Sequence, residues 1–100
     1  MGITLDEAIK AHIEKKRKYL HPLYSEALLR DTQLHIKTIE QAPRDPKMIE
    51  ARILKMKEEK AHWVDPMKRD DLSTEIEALQ ILRSMIRMEE NGQSLDGWAY

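Results

Sequence analysis

The segment Ala42-Pro43-Arg44-Asp45-Pro46 constrains the fold more than any other part of the sequence. Two prolines this close cannot lie inside one helix, because proline lacks a backbone N–H and its ring clashes with the preceding turn. On both sides of the segment, apolar residues recur every three or four positions, which is the period of an amphipathic helix. We therefore predict an antiparallel helical hairpin over residues 22–63, with this segment as its turn.

The composition favours helices and excludes several classes of protein. Ala, Glu, Lys, Leu and Arg make up nearly half of the 100 residues, and there is no Phe. The 17 basic and 18 acidic residues leave a formal net charge of −1, so no overall field attracts nucleic acid or an anionic membrane. The sequence has no cysteine, which excludes thiolate metal sites and fits a cytoplasmic protein. No apolar run approaches the ~18 residues of a membrane span.

Capping residues and prolines divide the chain into helical segments. Thr4 and Glu7 have the spacing of a capping box, and Pro22 ends or kinks the helix that follows it. Asp45-Pro46 is an N-cap followed by proline, and Asp65-Pro66 breaks the chain again. The predicted helices cover residues 5–20, 22–41, 46–63 and 71–91, the last ending at Asn91-Gly92.

The first two segments are joined too tightly for a full reversal, so we expect them to form one helix kinked at Pro22. The predicted fold is an all-α, antiparallel bundle of three or four segments. Residues 1–92 form this single domain, and residues 93–100 form a tail with two aromatic side chains.

A carboxylate lies in the middle of an apolar stripe. Asp31 is four residues before His35 and therefore on the same side of its helix. The next helix has an apolar stripe that ends with Trp63 and Val64 and carries Lys60 at its centre. Lys60 lies about one turn from the level of Asp31 in the hairpin. A buried carboxylate is costly unless it is paired. We therefore predict that Asp31 and Lys60 pair, with His35 nearby.

This polar group has two interpretations. Together with His12 of the first helix, Asp31 and His35 can bind a divalent metal or act as base and orienting group of an acid–base enzyme, with Lys60 as a further candidate. The alternative is a hydrogen-bonded polar layer that fixes the register of the helices. The sequence has no glycine-rich phosphate loop and no motif that pairs a nucleophile with a base. We therefore expect no cofactor and assign no catalytic residue.

The segment Glu58-Glu59-Lys60-Ala61-His62 contains one Glu-x-x-His motif, formed by Glu59 and His62. Paired copies of this motif build di-iron sites in four-helix bundles. Over these five residues the chain resembles part of the small encapsulated ferritin-like proteins, and the resemblance implies a metal site of Glu59, His62 and Glu26. On a helical wheel, however, His62 lies about 150° from the centre of the apolar stripe. The alternative interpretation is an exposed surface pair.

The helix predicted over residues 71–91, the third if the kinked pair counts as one, has apolar residues on more than one face. Such a helix is either central to the bundle or presents a contact surface. The aromatic tail can fold back over the helices or dock onto another chain. We predict a non-enzymatic interaction or assembly protein, either a homo-oligomer or bound to a protein partner, with a ferritin-like metal-binding bundle and an acid–base enzyme as alternatives. The predicted partner-binding residues are Ile81, Met85, Met88, Trp98 and Tyr100.

Overall fold

The computed structural model describes residues 2–99 and confirms an all-α chain. In this range there is no strand, and there are four α-helices followed by a short 3-10 helix. The helices are α1 (Leu5–Arg17), α2 (Glu26–Gln41), α3 (Pro46–His62) and α4 (Pro66–Glu90), and the 3-10 helix covers Asp96–Ala99. None of the helices in the described range combines the length and apolarity needed to cross a bilayer.

The capping signals place the first helix start where the sequence predicts it. The Thr4 hydroxyl accepts a hydrogen bond from the Glu7 N–H at 3.1 Å, and the Glu7 carboxylate accepts one from the Thr4 N–H at 3.1 Å. This confirms the capping box. Asp45 likewise caps α3 by accepting a hydrogen bond from the N–H of Lys47 at 2.9 Å.

The start of α4 lies earlier than predicted. The helix begins at Pro66, whereas the sequence reading places it near residue 71. The reason is that Asp65-Pro66 is the same pair of N-cap and proline that opens α3. Asp65 accepts a hydrogen bond from the Met67 N–H at 3.0 Å, so the pair starts a helix at the point where it breaks the previous one.

The single helix kinked at Pro22 is not formed, because residues 18–25 separate α1 from α2. In this connection the His21 ring accepts a hydrogen bond from the Leu23 N–H at 3.1 Å. The Ser25 hydroxyl then caps α2 by accepting one from the Leu28 N–H at 3.2 Å. Side chains therefore satisfy backbone donors that a continuous helix would bond internally, and proline completes the break.

The other three helices all pack on α4. The helix α1 also contacts α2 and the 3-10 helix. By contrast, α2 and α3, which the structure describes from end to end, share no pair of residues with Cα atoms within 8 Å. The predicted hairpin of residues 22–63 is therefore wrong. Its two apolar stripes pack against α4 instead of against each other.

Contacts between side chains give the directions of the helices. Near the start of α3, Glu50 forms an ion pair with Arg87 near the end of α4. At the other end, the Arg69 guanidinium donates a hydrogen bond to the Lys60 carbonyl at 3.0 Å. The hairpin in this fold is thus α3–α4, and these two helices are antiparallel.

The helix α2 runs in the same direction as α4. Arg30, in the second turn of α2, pairs with Asp71, in the second turn of α4, at 2.6 Å. One turn further along both helices, His35 and Thr74 line a common cavity. The start of α2 and the start of α4 therefore lie at the same end of the molecule.

The hydrophobic core contains residues from all four helices and from the C-terminal segment, and α4 contributes half of them. Its buried members are Ala8, Ile9, Ile39, Ile49, Ile53, Ile76, Ala78, Leu79, Leu82, Met85, Ile86 and Leu95.

The face of α4 that we predicted as a partner surface lies within or against this core. Met85 is 1% exposed, and Ile81 and Met88 are partly buried against the core cluster. The cause is that the apolar face of α1 and the side chain of Leu95 pack into the same cluster. Met85 is therefore not available to a second chain in this structure.

The C-terminal segment folds back onto α1. The Asp96 carboxylate accepts a hydrogen bond from the Ile3 N–H at 2.9 Å, which joins the two ends of the chain. The Trp98 ring stands edge-on to His12, with ring centroids 6.0 Å apart. Trp98 thus packs within its own chain, whereas Tyr100 lies outside the described residues.

The buried position of Met85 predicts a large loss of stability on truncation. We expect Met85→Ala to lower the free energy of unfolding by about 2–5 kcal/mol, because it removes buried contacts and leaves a cavity. The matched control is Met48→Ala, at a site 51% exposed on α3, where we expect a change within about 0.5 kcal/mol. Urea unfolding followed by circular dichroism at one protein concentration measures both. A loss below about 1 kcal/mol for Met85→Ala would contradict the assigned core.

Candidate functional site

Two buried histidines meet between α1 and α2. His12 is 7% exposed and His35 is 5% exposed, and each lies on the inner face of its helix. Their Nε2 atoms are 2.8 Å apart, which is the distance of an N–H···N hydrogen bond. One Nε2 donates and the other accepts, so at least one of the two rings must be neutral.

Burial lowers the pKa of both imidazoles. For His12 the further causes are the positive charges of Lys16 and Lys15. The pKa of His35 falls to about 4, first through burial and then through the charges of Lys16 and His12. Both rings are therefore neutral at pH 7. A base whose pKa is near 4 is poorly matched to proton transfer at neutral pH.

The histidine pair lacks the surroundings of a metal site. Among residues 2–99, neither His12 nor His35 belongs to a group of three possible ligands within 4.8 Å. The charges of Lys15 and Lys16, which depress the pKa values of the imidazoles, also oppose a cation. The geometry thus favours a polar layer between two helices over a metal centre at this pair.

The predicted pair of Asp31 and Lys60 is not formed. The two residues lie on α2 and α3, which do not contact each other. Asp31 instead lies beside Asp70 and Asp71 of α4, with carboxylate oxygens within 4.8 Å of one another. His35 and Asp31 line the same cavity, so only two of the three candidate catalytic residues come together.

The acidic cluster of Asp31, Asp70 and Asp71 is electrostatically unfavourable. Burial raises the pKa of Asp31, and hydrogen bonding to Asp70 and the charges of Asp70 and Asp71 add to the effect, whereas Arg30 opposes it. Oxygen ligands of this kind suit a hard divalent cation. However, Asp70 is exposed, and Arg30 already neutralises Asp71 at 2.6 Å. Arg30 therefore supplies positive charge at the edge of this cluster, while the Asp71 Oδ1 atom is buried without a hydrogen-bond partner among the described residues.

The metal site implied by the Glu-x-x-His motif is not assembled in the part of the chain that the structure describes. Glu59, His62 and Glu26 are all exposed, and they belong to no group of three possible ligands within 4.8 Å. Glu26 lies at the start of α2, which does not contact α3. Glu59 instead lines a cavity with Glu75. The pKa of Glu75 is raised first by burial and then by the charges of Asp71 and Glu59.

The turn between α3 and α4 presents three large apolar side chains to solvent, and we call this group the apolar corner. Every residue from 61 to 70 is exposed. Within this stretch Trp63 is 44%, Val64 is 90% and Met67 is 57% exposed. The sequence reading assigned Trp63 and Val64 to the buried stripe of α3. Their position directly before Asp65-Pro66 was the signal that they lie beyond the packed part of the helix.

Several interactions fix the backbone of the apolar corner. Asp65 caps α4, and the Arg69 guanidinium donates to the carbonyl oxygen of Trp63 at 3.2 Å. The Lys68 ammonium lies 5.8 Å from the centroid of the Trp63 ring, within the range of a cation–π contact. The corner is thus a structured turn with apolar side chains on its outside.

A second exposed apolar group lies at the same end of the molecule, in the connection between α1 and α2. Leu23 is 87% exposed, and Tyr19 and Tyr24 are 45% and 43% exposed. The two tyrosine rings have their centroids 6.1 Å apart. The ion pair of Arg30 with Asp71 holds the start of α2 beside the start of α4, which brings this group to the end that carries the apolar corner.

Comparisons of the chain with protein-family models, curated proteins and solved structures found no match.

The raised pKa of Asp31 predicts that removing its charge stabilises the protein. We expect Asp31→Asn to increase the free energy of unfolding at pH 7 by roughly 0.5 kcal/mol, a value kept small because the site is partly exposed. A raised folded-state pKa means that stability is gained as pH falls through that pKa. The advantage of the variant should therefore disappear in acid.

Chemical denaturation of Asp31→Asn at pH 7 and at pH 4 measures this effect. Glu58→Gln, which neutralises an exposed carboxylate on α3, is the control and should change little. A variant less stable than the parent at pH 7 would mean that the Asp31 carboxylate makes a net favourable contact.

Proposed function

We propose that this protein is a non-enzymatic assembly module that associates with a second copy of itself through the apolar corner. The observation that carries the proposal is that Trp63, Val64 and Met67 are exposed together on a fixed turn. Single exposed apolar residues are ordinary, whereas a group of them on an ordered backbone is typical of a contact surface. A preformed surface also loses little conformational entropy on binding.

The chain exposes more surface than a compact monomer of its mass, as expected if a second copy covers part of it. The accessible surface is 6826 Å², whereas a compact monomer of 11.8 kDa exposes roughly 5,900 Å². The excess of roughly 900 Å² is close to the area that each partner buries in a standard interface, about 800 Å². Burial of the corner and its surroundings against one other chain would remove this excess.

The shape of the chain also favours association with a second copy, because it is more extended than a compact monomer. The Cα atoms extend over 46 × 35 × 17 Å, with a radius of gyration of 14.4 Å, whereas about 13 Å is typical of 100 residues. The array is open because α2 and α3 flank α4 without contacting each other. In our proposal, the end of α3 and the start of α4 from one copy pack against the same elements of a second copy.

Charge around the corner fits a second copy of the same chain. The acidic residues Asp65 and Asp70 flank the basic residues Lys68 and Arg69 in the sequence. A two-fold axis places the same patch of both copies face to face, so the acids of one can approach the bases of the other. The formal net charge of −1 adds little repulsion between copies.

The alternatives have weaker support. A ferritin-like metal site needs Glu59, His62 and Glu26 to converge, and they do not form a ligand group in the described range. An acid–base site needs Asp31, His35 and Lys60 together, but Lys60 lies on α3, which does not contact α2. Assembly is the function that the remaining geometry favours. A cytoplasmic location, which fits the absence of cysteine, is part of the same proposal.

The assembly proposal predicts that a charge in the apolar corner lowers the mass of the particle. We expect the parent protein to sediment as a dimer at roughly 100 µM and Met67→Glu to sediment as a monomer, because burying an unpaired carboxylate is costly. Val64→Asp should act in the same way. Sedimentation equilibrium measures the mass, and circular dichroism checks that each variant remains helical.

Met48→Glu is a matched control for Met67→Glu. Both methionines lie in the first turn of a helix that begins with proline, and their exposures are 51% and 57%. Met48, however, lies at the opposite end of α3 from the corner, so the variant should remain dimeric. A monomeric parent protein, or a Met67→Glu variant of unchanged mass, would contradict the proposal.

A further inference from the structure

The helix α1 and the C-terminal 3-10 helix form one attached unit on the rest of the fold. They contact each other, and α1 contacts α2 and α4. In the described part of the chain, the bond between His12 and His35 is the one side-chain hydrogen bond that joins α1 to α2. Trp98 of the 3-10 helix stands against the same His12 ring. The histidine pair therefore lies at the junction of three elements.

We propose that this pair is an acid-sensitive clasp, whose protonation releases α1 and the C-terminal 3-10 helix from α2 and α4. An imidazolium ring has two donors and no acceptor, so the hydrogen bond cannot survive protonation of both rings. Two positive charges would also face each other across 2.8 Å in a buried site, where they repel strongly. The proposal goes beyond self-association and does not depend on it.

The charged groups around the clasp act in both directions. Lys15 and Lys16 of α1 disfavour additional positive charge on the rings. Asp31 of α2 and Glu77 of α4 line the cavity beside His35, and their carboxylates favour the imidazolium. Burial and the lysines outweigh them, because the pKa of His35 is about 4.

From the C-terminal side, the 3-10 helix contributes Asp96. Its carboxylate is engaged with the Ile3 N–H at 2.9 Å. That bond holds the N-terminal residues to the released unit and joins no part of it to α2.

The direction of the pH effect follows from the lowered pKa values. When the pKa of a histidine is lower in the folded protein than the ordinary 6.5, its contribution to stability is fully present above pH 6.5. This stability is lost as pH falls through the folded pKa, here about 4 for His35, because the released form binds more protons. The clasp should therefore weaken progressively below pH 6.5.

The carboxylates at the start of α2 and α4 respond in the opposite direction. The pKa of Asp31 is raised, first by burial, and so is the pKa of Glu75. Their contribution to stability therefore increases as pH falls. Acid thus weakens the histidine contact between α1 and α2, whereas protonation of Asp31 and Glu75 is not destabilising, which favours a local opening over complete unfolding.

Release of the unit would uncover an apolar face of α4. Ala8, Ile9 and Leu95 leave the core cluster that contains Met85. The face so exposed is the one whose residues suggested a partner surface from the sequence alone. Under this proposal the C-terminal segment covers that face at neutral pH, and acid exposes it.

Hydrogen exchange measured residue by residue between pH 7.5 and pH 4.5 tests the clasp. After correction for the intrinsic pH dependence of exchange, protection of the α1 amides should fall by roughly 50-fold or more, the linkage expected from His35 alone. Protection of α4 should change much less. In a Trp63→Phe background, Trp98 is the only tryptophan, and its emission should shift to longer wavelength over the same range.

His12→Phe combined with His35→Leu removes the titrating pair and should keep α1 protected at pH 4.5. If that variant does not fold, His35→Gln provides the test, since the amide can still donate to His12 while one of the two charges is removed. The matched controls are His21→Gln and His62→Gln, at exposed sites, which should open like the parent protein. Three results would each overturn the proposal. The protection of α1 could be unchanged at pH 4.5, all helices could lose protection together, or α1 could open in the double variant as it does in the parent protein.

Discussion

Burial of α4 against three other helices is the interaction on which the rest of this structure depends. Isolated helices as short as α1, α2 and α3 are marginal in water, and such helices gain most of their stability from packing of an apolar face. Three of the four largest fully buried side chains, Leu79, Leu82 and Met85, belong to α4. Each contributes about 1.5–3 kcal/mol by leaving water. Because each shorter helix finds its partner in α4, α2 and α3 need not contact each other, and the array stays flat.

An open array has two consequences for function. Little covers the turn between α3 and α4, so Trp63, Val64 and Met67 remain exposed on an ordered backbone. Between α1 and α2, the bond of the buried pair His12 and His35 is the one side-chain hydrogen bond in the described residues. The proposed assembly and the proposed acid-sensitive release therefore have the same structural cause, which is that one central helix does most of the packing.

Local signals in the sequence predicted the helices well and their partners poorly. The capping box at Thr4 and the Asp-Pro pair before α3 mark helix starts through short-range hydrogen bonds, and these are readable from adjacent residues. The choice of partner depends on surfaces that are far apart in sequence, and the stripes of α2 and α3 fit α4 as well as each other. That ambiguity led to the wrong pairing of Asp31 with Lys60. The sequence also offered His12 as a companion of Asp31 and His35, and in the structure the Nε2 atoms of His12 and His35 are 2.8 Å apart. Trp63 and Val64 were misplaced because periodicity does not show where packing ends.

The measurement that tests the central role of α4 most directly is native-state hydrogen exchange at neutral pH with increasing denaturant. If α4 holds the structure together, the amides around Leu79 to Ile86 should exchange only through global unfolding, and those of α1 through smaller openings. The amides of α2 and α3 should lose protection independently of each other, since the two helices share no contact. Joint opening of α2 and α3 as one unit, with α4 exchanging earlier, would contradict this account.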